Sequence, residues 1–472
     1  MLNLPVALVL PLVLPVFMQT TPAASSPSPT AGPPPNAGAS PTAAGTKPEA
    51  MAHAPSGRVI HLDDALRITL QSQPLVHEAQ AQTEAQIGVA QQARSGLLPQ
   101  VTGSLLYERA YSGVGTPVTT SSQTATTTQT GGYGATTHNI FSASATGSQL
   151  IYDFNQTPDK LRSANRAVDS FRASERTTEL QVLLTTRKAF FTARANHSLV
   201  RVADETVKNE EKHVVQVKGF VAAGTQPEIA LATELTNLAN DKVQLITAQN
   251  NYEIAKAQLN QSMGIVASTD YDVADDGLPP IEGEDGSDEA LVQYALKNRP
   301  ELLALEKTRE SDQLTIASYK GAYGPSLSAI GSVGASGTEL DSLYASWGVG
   351  AQLLWPLFQG GLTRGQVHQA EANLSYAEAQ LDTEKLQVRF DVEQAVLTLR
   401  AAKVSIDASN EALVNARDQL RLAEGRYQSG VGSIIELGDA QVAATNAAAQ
   451  VVQADFNLAT ARAQLLTALG RP

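Results

Sequence analysis

Gly219-Phe-Val-Ala-Ala-Gly224 and Gly425-Arg-Tyr-Gln-Ser-Gly430 stand 206 residues apart, each closing a stretch of some 60 residues without glycine or proline. Such a stretch reads as one helix of roughly 90 Å, at a rise of about 1.5 Å per residue. Each glycine pair reads as its turn. Apolar residues recur every seven positions along both, at Val200, Val207, Val214 and Val221, and at Ile406, Leu413, Leu420 and Tyr427. That period favours coiled-coil packing. Beyond each turn a helix should return antiparallel, from Glu228 to Met263 and from Ser433 to Leu469.

Read outward from the turns, the two halves keep matching. Leu150-Ile-Tyr-Asp-Phe154 corresponds to Leu354-Trp-Pro-Leu-Phe358, Asp64-Ala-Leu66 to Glu289-Ala-Leu291, Pro74 to Pro300, Pro99 to Pro325, and Leu259–Gly264 to Leu465–Gly470. A period near 200 residues is too long for a solenoid, so it marks a duplicated half-subunit. Each copy should open with a helix, His61 to Ser95 and Ser287 to Lys320. A hairpin follows in each. Val101, Gly103, Leu105 and Tyr107 alternate with Gln100, Thr102, Ser104 and Glu108. The return strand sets Phe141, Ala143, Ala145 and Gly147 against Ser142, Ser144, Thr146 and Ser148. Leu327, Ala329, Gly331 and Val333, then Trp347, Val349, Ala351 and Leu353, repeat this in the second copy. Period-two alternation makes one face apolar and the other polar. Strands of about ten residues can cross an outer membrane when tilted. The uncharged Thr/Ser/Gly-rich connection between Tyr111 and Asn139 reads as an external loop.

The expected organisation is an export signal over 1–23, a Pro/Ala/Ser-rich linker over 24–57, repeat one over 58–264, an acidic connector over 265–288 and repeat two over 289–472. The connector, with eight Asp and Glu and no Lys or Arg, reads as a solvated loop. Composition excludes several classes. The net charge of -13 disfavours nucleic acid. With no cysteine there is neither a disulfide nor a thiolate metal site. His53, His61, His77, His138, His197, His213 and His368 fall in no metal-ligand spacing, and no catalytic fingerprint occurs, so neither enzyme nor cofactor is indicated.

Four strands cannot close around a water-filled pore, and open edges are not tolerated in lipid. Several chains must share one barrel; three would give about twelve strands. The fold expected is mixed α+β, mainly α: a trimeric twelve-stranded barrel continued by a coiled-coil helical tunnel.

The duplication, together with Leu354-Trp-Pro-Leu-Phe-Gln-Gly-Gly361 and Arg426-Tyr-Gln-Ser-Gly-Val-Gly-Ser-Ile-Ile-Glu-Leu-Gly-Asp-Ala440, resembles the TolC-like outer-membrane efflux proteins from about Val59 to Arg471. The resemblance implies an outer-membrane homotrimer with a large periplasmic portion. It also implies a periplasmic adaptor and an inner-membrane transporter as partners. By the same resemblance Glu436, Asp439 and Tyr427 belong to the pore constriction, with Gly432 and Ala230 standing where some members carry charged closing residues. Gly219, Gly224, Thr225, Gly425, Gly430, Gly432 and Ser433 form the tips where an adaptor would dock. Pro356, Gly360 and Gly361 serve the strand-to-helix junction, and Trp347 and Trp355 suit an interfacial aromatic belt. The expected function is a passive exit duct of a tripartite efflux or type I secretion system. A trimeric stalk or adhesin without a pore is the alternative.

Overall fold

The computed structural model describes residues 59–112, 118–122, 125–129 and 136–472. The expected export signal and linker lie outside the described residues. β1 (Val59–Ile60) leads into α1 (Leu62–Ser72) and α2 (Pro74–Ser95). Then come β2 (Gln100–Ser112), β3 (Val118–Ser122), β4 (Ala125–Gln129), β5 (Thr136–Tyr152), α3 (Gln156–Ala222) and α4 (Glu228–Met263). After β6 (Asp272–Val273) the order repeats as α5 (Asp288–Asn298), α6 (Pro300–Gly321), β7 (Ser326–Gly337), β8 (Tyr344–Leu354), α7 (Leu362–Gln428) and α8 (Ile434–Ala468). The long helices α3 and α7 are 67 residues each, about 100 Å of rod.

Three expectations are corrected. The opening helix of each copy is two helices, because Pro74 and Pro300 sit at N1 of α2 and α6 and push the preceding Gln73 and Arg299 into extended backbone. The connection after Tyr111 is not all loop: β3 and β4 pair antiparallel within it. The acidic connector is not simply solvated. β6 pairs parallel with β1, and Tyr271, Val273, Ala274 and Ile281 are buried. Its acids are fasteners. Asp276 accepts from the Leu62 amide at 3.0 Å. Glu284 accepts from the Ile281 amide at 2.9 Å and pairs with Lys403 at 2.7 Å and Arg462 at 3.4 Å. Those bonds to two cations and an amide hold the Glu284 carboxyl below its usual range despite burial, which pushes the other way.

Two apolar cores flank this connector. One gathers Phe190 and Phe191 of α3 with Leu259 and Met263 of α4 and Ile60. The other gathers Val388, Val392 and Leu399 of α7 with Leu465 and Leu469 at the end of the second return helix. Each return helix stops at a left-handed glycine pressed on the proline break of its own copy. A Cβ on Gly264 (φ 72°) would lie 2.6 Å from Gln73 Cα, and one on Gly470 (φ 72°) 3.1 Å from Asn298 O. This close approach accounts for the matched Leu259–Gly264 and Leu465–Gly470 endings. Gly264→Ala should therefore lose roughly 2–4 kcal/mol, combining a left-handed penalty with displaced backbone. Gly224→Ala, whose Cβ would meet nothing within 4 Å, should lose only about 1–2 kcal/mol. Chemical unfolding of the two variants checks the difference; equal losses would remove the packing argument.

The main sheet has the order β2-β5-β7-β8, all antiparallel. Its register aligns the apolar set row by row: Gly103↔Ala145, Ala145↔Val333, Val333↔Trp347 in one row, and Gly147↔Gly331, Gly331↔Val349 in the next. One face thus carries Leu105, Val333, Trp347 and Val349, of which Leu105 is 87% and Val349 81% exposed. The other carries Ser104, Ser144 and Ser332, with Ser104 and Ser144 hydroxyls 2.8 Å apart. β2 and β8 are edges with no partner among the described residues.

The sheet hands over to the long helices differently in the two copies. Before α7 the turn falls on Gly360 (φ 59°) and Gly361 (φ 88°). Before α3 it falls on Phe154 (φ 54°) and Asn155 (φ 64°), a conformation side chains resist. Phe154 is kept there by a seat without side chains: a Cβ on Gly324 would lie 2.5 Å from its ring, and one on Gly321 2.6 Å from its carbonyl oxygen. Asp153, two residues before the Asn155 N-cap, accepts from the Thr157 amide in the first turn of α3 at 2.8 Å. Trp355 lies just beyond β8, 58% exposed, its Nε1 donating to Tyr323 O at 3.2 Å.

Candidate functional site

At the end of the rods away from the sheet, α3 turns into α4 and α7 into α8. Gly224 (φ 72°) and Gly430 (φ 75°) take the left-handed turn positions. Their amides donate to the carbonyls of Val221 and Tyr427, at 3.0 and 3.1 Å, closing each helix. Gly219 and Gly425 belong to the last helical turns rather than to the loops. Ser433 is the N-cap of α8, its hydroxyl accepting from the Glu436 amide at 3.0 Å. Gly432 is needed for a different reason from Gly430: a Cβ there would stand 2.9 Å from the Tyr427 amide nitrogen. A charged residue in the place of Gly432 would have to force the turn open.

Glu436 and Asp439 sit on the first turns of α8 and are both exposed. They differ electrostatically. Glu436 pairs with Arg426 Nε at 3.1 Å, whereas no ion pair is formed by Asp439 among the described residues. Tyr427, assigned by resemblance to the constriction, is packed between the helices of the tip. Its ring is 2% exposed, in a small core with Val217, Ala230, Ala423, Leu437 and Ala440, edge-on to Phe220 at 5.8 Å. Ala230, where an acid was noted as absent, contributes only its methyl group to this core. Tyr427 continues the heptad seam, and the seam buried it.

Sequence reading missed the acids behind this core. Glu210 falls three residues after Val207, at the second apolar position of the α3 heptad, and is 4% exposed. Glu234 of α4, also 4% exposed, lines one groove with Glu210 and meets it. Burial first, then the hydrogen bond to Glu210 and its charge, pushes the Glu234 carboxyl up to about 8. Burial acts likewise on Glu210, but its contacts to His213 and Glu234 outweigh this and hold it below the usual value. The signal was present: along α4 the seam reads Glu234, Asn237, Asp241, Gln244, where a stable coiled coil would carry apolar residues. Beside it runs a groove of about 420 Å³, lined by Glu210, Glu234, Asp241, Asp439 and Gln441. Among the described residues no cluster of three metal-ligating side chains occurs. No described helix is long and apolar enough to cross a membrane.

The model of a family described as outer membrane efflux protein matches residues 65–265 and 291–471. The chain is 26% identical over 432 residues to outer membrane protein TolC of Escherichia coli strain K12, covering 84% of this chain and 80% of that protein. It is 24% identical over 332 residues to the solvent efflux pump outer membrane protein SrpC of Pseudomonas putida, covering 66% and 67%. Among solved structures, the Campylobacter jejuni CmeC outer membrane channel superposes with a TM-score of 0.73 at 18% identity, over 87% of this chain and 85% of that one.

Proposed function

The chain belongs to the outer membrane efflux protein family, and from that premise we propose that it is the passive exit duct of a tripartite efflux or type I secretion system, working as a homotrimer. An inner-membrane transporter and a periplasmic adaptor would deliver cargo to it, and it would carry out no chemistry itself. The observation that supports this best is the sheet: four strands, one face apolar and solvent-exposed, both edges open among the described residues. Open edges beside an apolar face are untenable in lipid unless other copies close the ring. The polar face then lines the bore. Trp355 at the helical end of the sheet suits the level of the lipid headgroups. The repeats fall at 58–264 and 289–472, with the 265–288 connector as a belt around the rods, and Glu436 and Asp439 form rings at the mouth. The tips at Gly219–Thr225 and Gly425–Ser433 offer one rim to an adaptor.

Purified protein in detergent should give a native mass of three mature chains, and the same preparation should conduct ions across a planar bilayer. A stable monomer overturns the shared barrel. A trimer that never conducts favours the stalk reading.

A further inference from the structure

Glu210, His213, Glu234 and Glu424 join three of the four tip helices. Glu210 of α3 meets Glu234 of α4, and both carboxyls are almost completely buried. His213, one turn on and 7% exposed, has Nδ1 3.8 Å from Glu210 and Nε2 3.7 Å from Glu424 of α7. An exposed ion pair, Lys242 to Glu211 at 3.2 Å, also joins α4 to α3 beside these acids. Asp241 and Asn237 flank them on α4, Tyr427 lies on α7, and Asp439 and Gln441 approach from α8. Among the described residues no Lys or Arg lines this groove. One oxygen of Glu210, the Gln441 side-chain oxygen and the Tyr427 hydroxyl are buried without a partner. Two facing carboxyls can hydrogen-bond only if one keeps a proton, because ionised carboxylates solely accept. Without that proton two like charges confront each other away from water.

We propose that Glu210 and Glu234 share one proton and act as a latch, holding α4 against α3 at the tip until rising pH releases it. This rests on reading the tips as the mouth of the duct, whose regulation it would supply. The direction follows from linkage. Buried in the latch, Glu234 holds its proton up to about pH 8; set free in water, it would lose it near 4.5. The closed state therefore binds the proton more tightly. It is fully favoured below about pH 4.5 as far as Glu234 is concerned, and is weakened by up to about tenfold per pH unit as pH rises from there to about 8. Asp241, pushed up by its own burial and by Glu210, adds in the same direction. Asn237, Asp241 and Gln244 continue a polar seam that resists separation weakly, while Leu259 and Met263 further along keep α4 packed, so release need not unfold the rod.

Because the chain contains no cysteine, a labelled pair is unique. Val215→Cys and Leu235→Cys place spin labels on exposed sites of α3 and α4, 72% and 49% exposed. In the purified full chain the inter-label distances should be short and narrowly distributed near pH 5, and lengthen and broaden as pH approaches 8. The closed-to-open ratio should fall by roughly tenfold per unit at its steepest. Glu234→Gln, which keeps the hydrogen bond without the titration, should stay closed through pH 9. Distances in the parent that ignore pH overturn the latch. So does a transition that persists unchanged in Glu234→Gln. This readout needs no pore, so a chain that fails to conduct could still show the latch, and a conducting trimer could lack it.

Discussion

Val349→Arg should fail to accumulate in the outer membrane, while Ser346→Arg, three residues earlier on the same strand, should insert and trimerise at close to the parent yield. The two residues face opposite sides of β8. Val349 pairs with Gly331 in the apolar rows and is 81% exposed, whereas Ser346 pairs with Gly334 on the polar side. An arginine facing lipid near the bilayer midplane costs about 2–4 kcal/mol. A ring of three repeats it, giving roughly 6–12 kcal/mol, comparable to the entire stability of an ordinary folded domain. An arginine facing the bore stays hydrated. Membrane fractionation and the detergent-extracted mass provide the readout. Equal yields for both variants would mean that the apolar face does not meet lipid.

The second large effect concerns selectivity. The parent duct in a planar bilayer should pass cations in preference to anions, and Asp439→Asn should remove most of that preference, by roughly tenfold in the permeability ratio. Glu436→Gln alone should do less, because Arg426 at 3.1 Å already offsets its charge. The double change should add little to Asp439→Asn. Both acids are exposed, so neither substitution should disturb folding, and trimer yield serves as the control. Selectivity that survives the double change would make them ordinary surface acids.

Much of the fold was legible because it depends on local pattern repeated twice. Rods without glycine or proline, strands with strict alternation and paired left-handed glycines need no knowledge of distant partners. What escaped the reading depends on contacts across the duplication. The helix break at Gln73 is stabilised by a Gly264 that lies 191 residues further on. The connector is acidic in isolation, yet Lys403 of α7 and Arg462 of α8 approach it from the second copy. The burial of Tyr427 was legible from its heptad position. Glu210 was passed over because a glutamate in a long helix ordinarily faces water. Only its place in the seam marks it as different, and only the arrival of Glu234 from another helix makes it a site.

The sheet order has one more consequence, in genetics. Within a chain, β5 of the first half meets β7 of the second; in the proposed ring, β8 of each chain would meet β2 of the next, again a second half against a first. No subunit can then finish its own membrane wall, so insertion and association become a single event. A cell expressing intact and defective chains equally would draw an all-intact ring only about one time in eight, if the three places fill at random. A defect that blocks the bore while sparing both seams should therefore behave as dominant, whereas a defect at either open strand removes its own product from the pool and should behave as recessive.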